Sequence, residues 1–131
     1  MRITRKNLEL LVKDNKGRLL ISFLGQRQGS LEMNEKWRVD LKGEDIEFFA
    51  GMILDRAVAD ASGKVDLKEP YPFIIRVKWD GLQRILSFYP WEEGGALASI
   101  RLSPLEARKV GKLAERTVFV NHLIRRLALE R

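Results

Sequence analysis

The chain reads VKDNKGRLLISF from Val12 to Phe23 and VKWDGLQRILSF from Val77 to Phe88. In both stretches apolar residues alternate with polar ones, break at a turn containing Asp and Gly, and then alternate again. A period of two is that of a strand with one buried face, so each stretch predicts a β-hairpin. In the first, Asp14-Asn15-Lys16-Gly17 forms the turn, and Gly17 can take the positive φ that tight hairpins need.

One constant offset carries Val12, Lys13, Ser22 and Phe23 onto Val77, Lys78, Ser87 and Phe88. A slightly shorter offset then carries Val39 onto Ile100, Leu41 onto Leu102, Asp45 onto Glu106, Phe49 onto Val110 and Met52 onto Leu113. The pattern therefore spans whole strand-to-helix units, which predicts one domain over 1–131 made of two repeats, about 1–63 and 70–131. In the first repeat, Leu31 and Met33, then Trp37, Val39 and Leu41, give further strand signals. Ile46, Phe49, Met52, Ile53 and Ala57 then recur at helical steps. Glu44, Asp45 and Glu47 suit the positive end of that helix, which is expected to close near Ser62-Gly63. Residues 63–72, with Pro70 and Pro72, read as a short extended connector. Phe73 to Trp79, Leu82 to Tyr89 and Ala96 to Leu102 supply the strands of the second repeat. Ser103-Pro104, a cap followed by proline at the first helical position, opens a last helix running almost to Arg131.

At 131 residues there is room for one compact core and not for two independent ones, so the repeats must share it. An apolar fraction of 45% beside 32% charged residues is that of a folded chain rather than a disordered tail. No stretch is apolar enough to span a membrane, and MRITRKNLEL lacks the apolar run of a signal peptide, so no membrane association and a cytoplasmic location are expected, with the nucleoid as the site in a prokaryote. Without cysteine and with His122 as the single histidine, thiol catalysis, disulfides and zinc fingers are excluded, and neither a metal nor another cofactor is expected. The net charge of +6 is unevenly spread: residues 1–42 hold 10 Lys and Arg against 5 Asp and Glu, whereas residues 43–61 hold 1 against 5. The strand part is basic and the helix part acidic, which places the positive potential on a sheet surface.

The Val-Lys-Asp strand end, the Lys-Gly-Arg turn, the Leu-Leu-Ile strand and the later VDLKGEDIEFF resemble the repeat of the positive cofactor four coactivators. They are also similar to the repeat of the Pur proteins, whose turns are rich in Asn, Lys, Gly and Arg. Both groups share the Whirly-type fold. The resemblance implies an α+β architecture of two strand-strand-strand(-strand)-helix units, their antiparallel sheets packed on two helices, and binding of single-stranded DNA or RNA. The stretch from Tyr89 to Leu102 is short for the last two strands of a four-stranded unit, and the Lys-Gly-Lys motif of the plant Whirly proteins is missing.

With Leu8, Leu10, Val12, Leu19, Ile21 and Phe23 facing the helices, Leu11, Lys13, Arg18, Leu20 and Ser22 face outward, as do Arg76, Lys78, Ile85, Ser87, Tyr89, Ser99 and Arg101. Cations neutralise phosphates and release counterions, and flat side chains stack on unpaired bases. The residues assigned to nucleic acid are Lys13, Lys16, Arg18, Arg27, Lys36, Arg38, Arg76, Lys78, Arg84, Tyr89, Trp91 and Arg101. Trp37 and Trp79 share the parity of core residues, while Trp91, beside Pro90 and the Glu-Glu-Gly-Gly turn, is expected to be exposed. Sequence-tolerant binding is expected, with single-stranded DNA ahead of RNA and no small-molecule substrate, in transcription, replication or repair.

The last helix places Val110, Leu113, Thr117, Val120, Ile124 and Leu127 at the three- and four-residue steps of a helical seam, and Val120, Ile124 and Leu127 are expected to join two copies in a homodimer. Two other readings are open to the same residues. Asp40, Glu44, Asp45 and Glu47 could hold magnesium for phosphoryl transfer, but a helix N-terminus explains the charges without metal, and the chain is expected not to be an enzyme. A non-catalytic, coactivator-like adaptor dimerising through its last helix is the principal alternative.

Overall fold

The structure, a computed structural model, describes residues 1–26 and 28–130. Four strands, β1 (Arg2–Thr4), β2 (Leu8–Asn15), β3 (Arg18–Gln26) and β4 (Met33–Leu41), lead into helix α1 (Glu44–Leu54) and a 3₁₀ turn at Arg56–Val58. Four more, β5 (Lys64–Leu67), β6 (Ile74–Asp80), β7 (Gln83–Tyr89) and β8 (Ala98–Leu102), lead into α2 (Pro104–Leu129). Each set forms an antiparallel meander in sequence order, β1-β2-β3-β4 and β5-β6-β7-β8. The expected hairpins are present: Val12 pairs with Ile21 in one sheet and Val77 with Leu86 in the other. At the first tip both Lys16 and Gly17 have positive φ, the combination of a type I′ turn.

Two expectations are corrected. The connector assigned to residues 63–72 contains β5, and the chain start contains β1, so the fourth strand of the second unit lies before its hairpin rather than between Tyr89 and Leu102. Helix α1 ends at Leu54, not near Ser62-Gly63. Its last carbonyls are taken by the second sheet: the Trp79 indole donates to the Met52 carbonyl at 2.9 Å and Arg84 Nε donates to the Ile53 carbonyl at 2.8 Å. Those donors satisfy groups that a helix end leaves unpaired, so the chain can stop there although Ala57 and Val58 would extend the helical pattern.

The core is one cluster drawn from both units, including Leu10, Ile21, Phe23, Ile46 and Phe49 from the first and Ile75, Val77, Leu86, Phe88 and Val110 from the second. Phe23 and Phe88, matched by the sequence offset, meet edge to face with ring centroids 4.7 Å apart. The units also hold one another's helices. Arg5, in the loop between β1 and β2, forms a bidentate pair with Glu106 in the first turn of α2, at 2.7 and 3.1 Å. Tyr71, in the loop between β5 and β6, donates its hydroxyl to Asp45 in the first turn of α1. Asp45 and Glu106 are matched positions, so the exchange is reciprocal. Tyr71 is buried, and its phenol is held well above the ordinary tyrosine value, first by burial and then by the Asp45 carboxylate.

Helix α2 opens on the expected cap. Ser103 Oγ accepts from the Glu106 amide at 3.1 Å while Glu106 Oε1 accepts from the Ser103 amide at 2.9 Å, with Pro104 at the first helical position. Further along, the helices cross at Gly111, where an added Cβ would run into the Leu54 side chain. Gly111 thus exchanges helix propensity for close approach.

The Arg5 hydrogen bond holds the Glu106 carboxyl below its ordinary value of 4.5, with burial acting the other way. A depressed value contributes stability above the unfolded pKa, and that contribution fades as pH falls through the folded one. Glu106→Gln should therefore cost about 1 kcal/mol near neutral pH, a figure kept small because the Arg5 side chain is partly solvated. Denaturant unfolding should show the gap to wild type narrowing once pH drops below about 4.5; a gap independent of pH counts against the pairing.

Candidate nucleic-acid interface

Alternation along each strand sends one set of side chains to the core and the other to the open face. On the second sheet the outward set is Lys64 and Asp66 from β5, Ile74, Arg76, Lys78 and Asp80 from β6, Gln83, Ile85, Ser87 and Tyr89 from β7, and Ser99 and Arg101 from β8, as the strand registers place them side by side. Arg76 Nε donates to Asp66 at 2.7 Å, and its guanidinium lies 4.5 Å from the centre of the Tyr89 ring. Cation and aromatic therefore share one spot, with Tyr89 half-buried under the arginine. Arg101 reaches Asp80 at 2.7 Å and Gln83 at 2.8 Å. That ion pair holds the Asp80 carboxyl below its ordinary value. Lys78 is exposed. Trp91, in the loop after β7, is 42% exposed, as expected for a residue available to stack.

The first sheet presents Lys13, Arg38 and Arg2 on its open side, but Glu9, Glu35 and Asp40 lie among them. Arg2 pairs with Glu9 at 3.0 Å and Arg38 with Asp40 at 3.1 Å. Lys13 is exposed and unpaired among the described residues. Lys36 is exposed beside a break in the β3–β4 register, its stem packed across Gly25. Lys16 and Arg18 flank the hairpin tip that docks on α2, where Asn121 Nδ2 donates to the Gly17 carbonyl at 2.6 Å. They line an open concavity together with Glu44, Glu47 and Arg125, on the helical side. Arg27 lies outside the described residues.

Three expectations about this surface are corrected. Arg84 does not face outward: it shares the inward parity of Leu86 and Phe88, is buried, and donates to the Ile53 and Leu82 carbonyls at 2.8 and 2.6 Å. Its guanidinium sits 3.7 Å from the centre of the Trp79 ring, which offsets the burial that works against its charge. Ser22 and Ser87 do lie on the outward side, yet neither is open. Ser22 is covered and donates to Glu35 at 2.8 Å, and the Ser87 and Ser99 hydroxyls share a hydrogen bond at 2.7 Å. Leu20, also outward, is buried between its strand neighbours Lys13 and Asp40.

Trp79 is buried and Trp37 packs half-buried against the core, as their parity implied. Of the acidic residues, Asp40 is engaged by Arg38 and Asn15, and Asp45 by Tyr71. Among the described residues no group of three or more His, Asp or Glu is arranged to hold a metal ion. The α2 seam divides: Val110 and Thr117 are buried in the core, Val120 is half-buried, and Ile124 and Leu127 are 60% and 55% exposed. Phe119 and Leu123, which the seam spacing did not select, are exposed beside them.

No protein-family model matches the sequence, and none of the curated proteins matches it. Among solved structures the chain is similar to a chain of the crystal structures of Trypanosoma brucei MRP1/MRP2, at 12% identity and a TM-score of 0.66, over 88% of this chain and 76% of that one. The fold is accordingly α+β, two antiparallel four-stranded sheets with two helices, of the Whirly type.

Arg84→Ala leaves the Ile53 carbonyl without its donor and Trp79 without its cation, and should lower stability by about 2 kcal/mol. Nucleic-acid affinity of the folded variant should match wild type. Thermal unfolding with a parallel oligonucleotide titration checks both; lost affinity at full stability would return Arg84 to the binding face.

Proposed function

We propose that the protein is a non-catalytic, sequence-tolerant binder of single-stranded nucleic acid that uses the open faces of its sheets. The observation that carries this is the second sheet, where Arg76, Lys78 and Arg101 share one surface with Tyr89, and Trp91 stands exposed in the loop that follows. Cations neutralise phosphates and release counterions, with Lys78 outside the ion pairs and Arg76 and Arg101 able to exchange a carboxylate for a phosphate, and unpaired bases stack on aromatic rings. A duplex offers phosphates without ring faces, so this combination favours the single strand. Each stacked base contributes about 1–3 kcal/mol whatever its identity, which suits sequence tolerance. The Whirly-type fold supports the reading, since proteins of the group that the sequence resembles bind single-stranded DNA or RNA. A part in transcription, replication or repair fits such binding.

The α2 tail favours a second reading that is compatible with the first. Phe119, Leu123, Ile124 and Leu127 leave a run of large apolar side chains open to solvent on one helix. We take its occupant to be a second copy of the chain, in a homodimer joined on the helical side that leaves the sheets free. The same surface would serve an adaptor role, in which charge on the sheets is dispensable.

Titrating labelled single-stranded DNA, single-stranded RNA and duplex should show tighter binding to the single strands, with log affinity falling linearly against log salt. Equal affinity for duplex, or no binding at low salt, rejects the proposal. Sedimentation should give a dimeric mass that becomes monomeric in the I124D/L127D variant; a monomeric wild type at micromolar concentration rejects the second copy.

A further inference from the structure

The registers of the second sheet align four residues in one row across its strands. Lys64 pairs with Lys78, Lys78 with Ile85, and Ile85 with Arg101. Adjacent strands lie about 4.8 Å apart, so the row extends about 14 Å from β5 to β8. Two lysines directly opposite each other destabilise a strand pair, because their Cβ atoms stand close and their charges repel. Both are exposed, and neither forms an ion pair among the described residues.

The carboxylates within reach accept hydrogen bonds from other donors and form no salt bridge to either lysine. Asp66 is held by Arg76 and Asp80 by Arg101, each at 2.7 Å. Asp60, which feels the Lys64 charge, accepts at one oxygen from the Ser62 and Lys64 amides and from the Ser62 hydroxyl. On the first sheet no such row exists: Lys13 faces Leu20, and that row ends on Asp40. Asp60 and Asp80 feel the Lys64 and Lys78 charges without forming a salt bridge to either, so the facing like-charge pair is only partly offset, at the surface already proposed to meet nucleic acid.

We propose that Lys64 and Lys78, with Arg101 at the far end of their row, form a phosphate-binding track that carries a single strand across β5 to β8 rather than along them. This rests on the nucleic-acid reading and adds a residue, Lys64, and a direction to it. A phosphate set between the two lysines relieves their repulsion, and Ile85 gives the row an apolar step between cations. Neighbouring Arg76 and Tyr89 then stand beside the track, placed to receive a base.

Lys64→Glu separates the track from folding, because it converts a like-charge pair into an opposite-charge pair and should leave the melting temperature unchanged or higher. With labelled oligothymidylate, its affinity should fall about tenfold or more, and its salt slope should drop by at least about one phosphate contact. Lys109→Glu, the same charge change on the exposed side of α2, should alter affinity by about twofold at most, as a long-range effect screened by salt. Equal losses in the two variants, or no loss in either, overturn the track while the nucleic-acid reading stands. A wild-type protein that binds no oligonucleotide overturns both.

Discussion

Phe23 and Phe88 occupy the same step of two related hairpins, and in the folded chain they touch each other. The contact lies where the inner faces of the two sheets meet, inside the one core that both units share. Much else depends on that contact. It brings the inner faces of the two sheets to one core, stacks Phe73 on Phe88, and sets α1 and α2 side by side, close enough that only glycine fits at Gly111. Deleting a buried ring of this size costs about 3–5 kcal/mol, a large share of what a domain of this length has to spare. Reciprocal grips at Arg5–Glu106 and Tyr71–Asp45 then fix where each helix begins. Neither unit closes its core without the other.

Because the inner faces are consumed in this way, the outer faces are free to diverge. The first sheet pairs its cations with Glu9 and Asp40 and seals its centre with Leu20 and Ser22. On the second, Arg76 and Arg101 are likewise paired, with Asp66 and Asp80, but Lys64 and Lys78 stay outside the ion pairs, and Tyr89 and Trp91 stand nearby. The likeness of the two units in strand order does not extend to their surfaces. Lys13 and Lys78 occupy matched positions, yet only Lys78 faces another lysine across the strands.

The fold was legible in the sequence where the signal was long and local. The two hairpins, the offset matching Phe23 with Phe88 and the Ser103 cap all appear in the structure because strict alternation and cap chemistry act over a few residues. Strands β1 and β5 are not legible in the sequence, since three or four residues of mixed polarity carry no measurable period; the sheets, not Arg2–Thr4 or Lys64–Leu67, make them strands. The end of α1 was equally hidden, because its stop is imposed by Trp79 and Arg84 from the other unit. Arg84 itself was readable: it stands two residues before Leu86 and four before Phe88, so its parity already pointed inward. What parity does not disclose is coverage, which depends on neighbouring strands and explains why outward Ser22 and Ser87 are buried.

Nucleic acid on the open face of the second sheet would be seen by mapping amide and side-chain NMR shifts in labelled protein as oligothymidylate is added. The largest changes should fall at Arg76, Lys78, Tyr89, Trp91 and Arg101, with the helical side little affected. Changes confined to the α2 tail from Phe119 to Leu127, or to the Lys16-Gly17-Arg18 tip beside it, would contradict that placement.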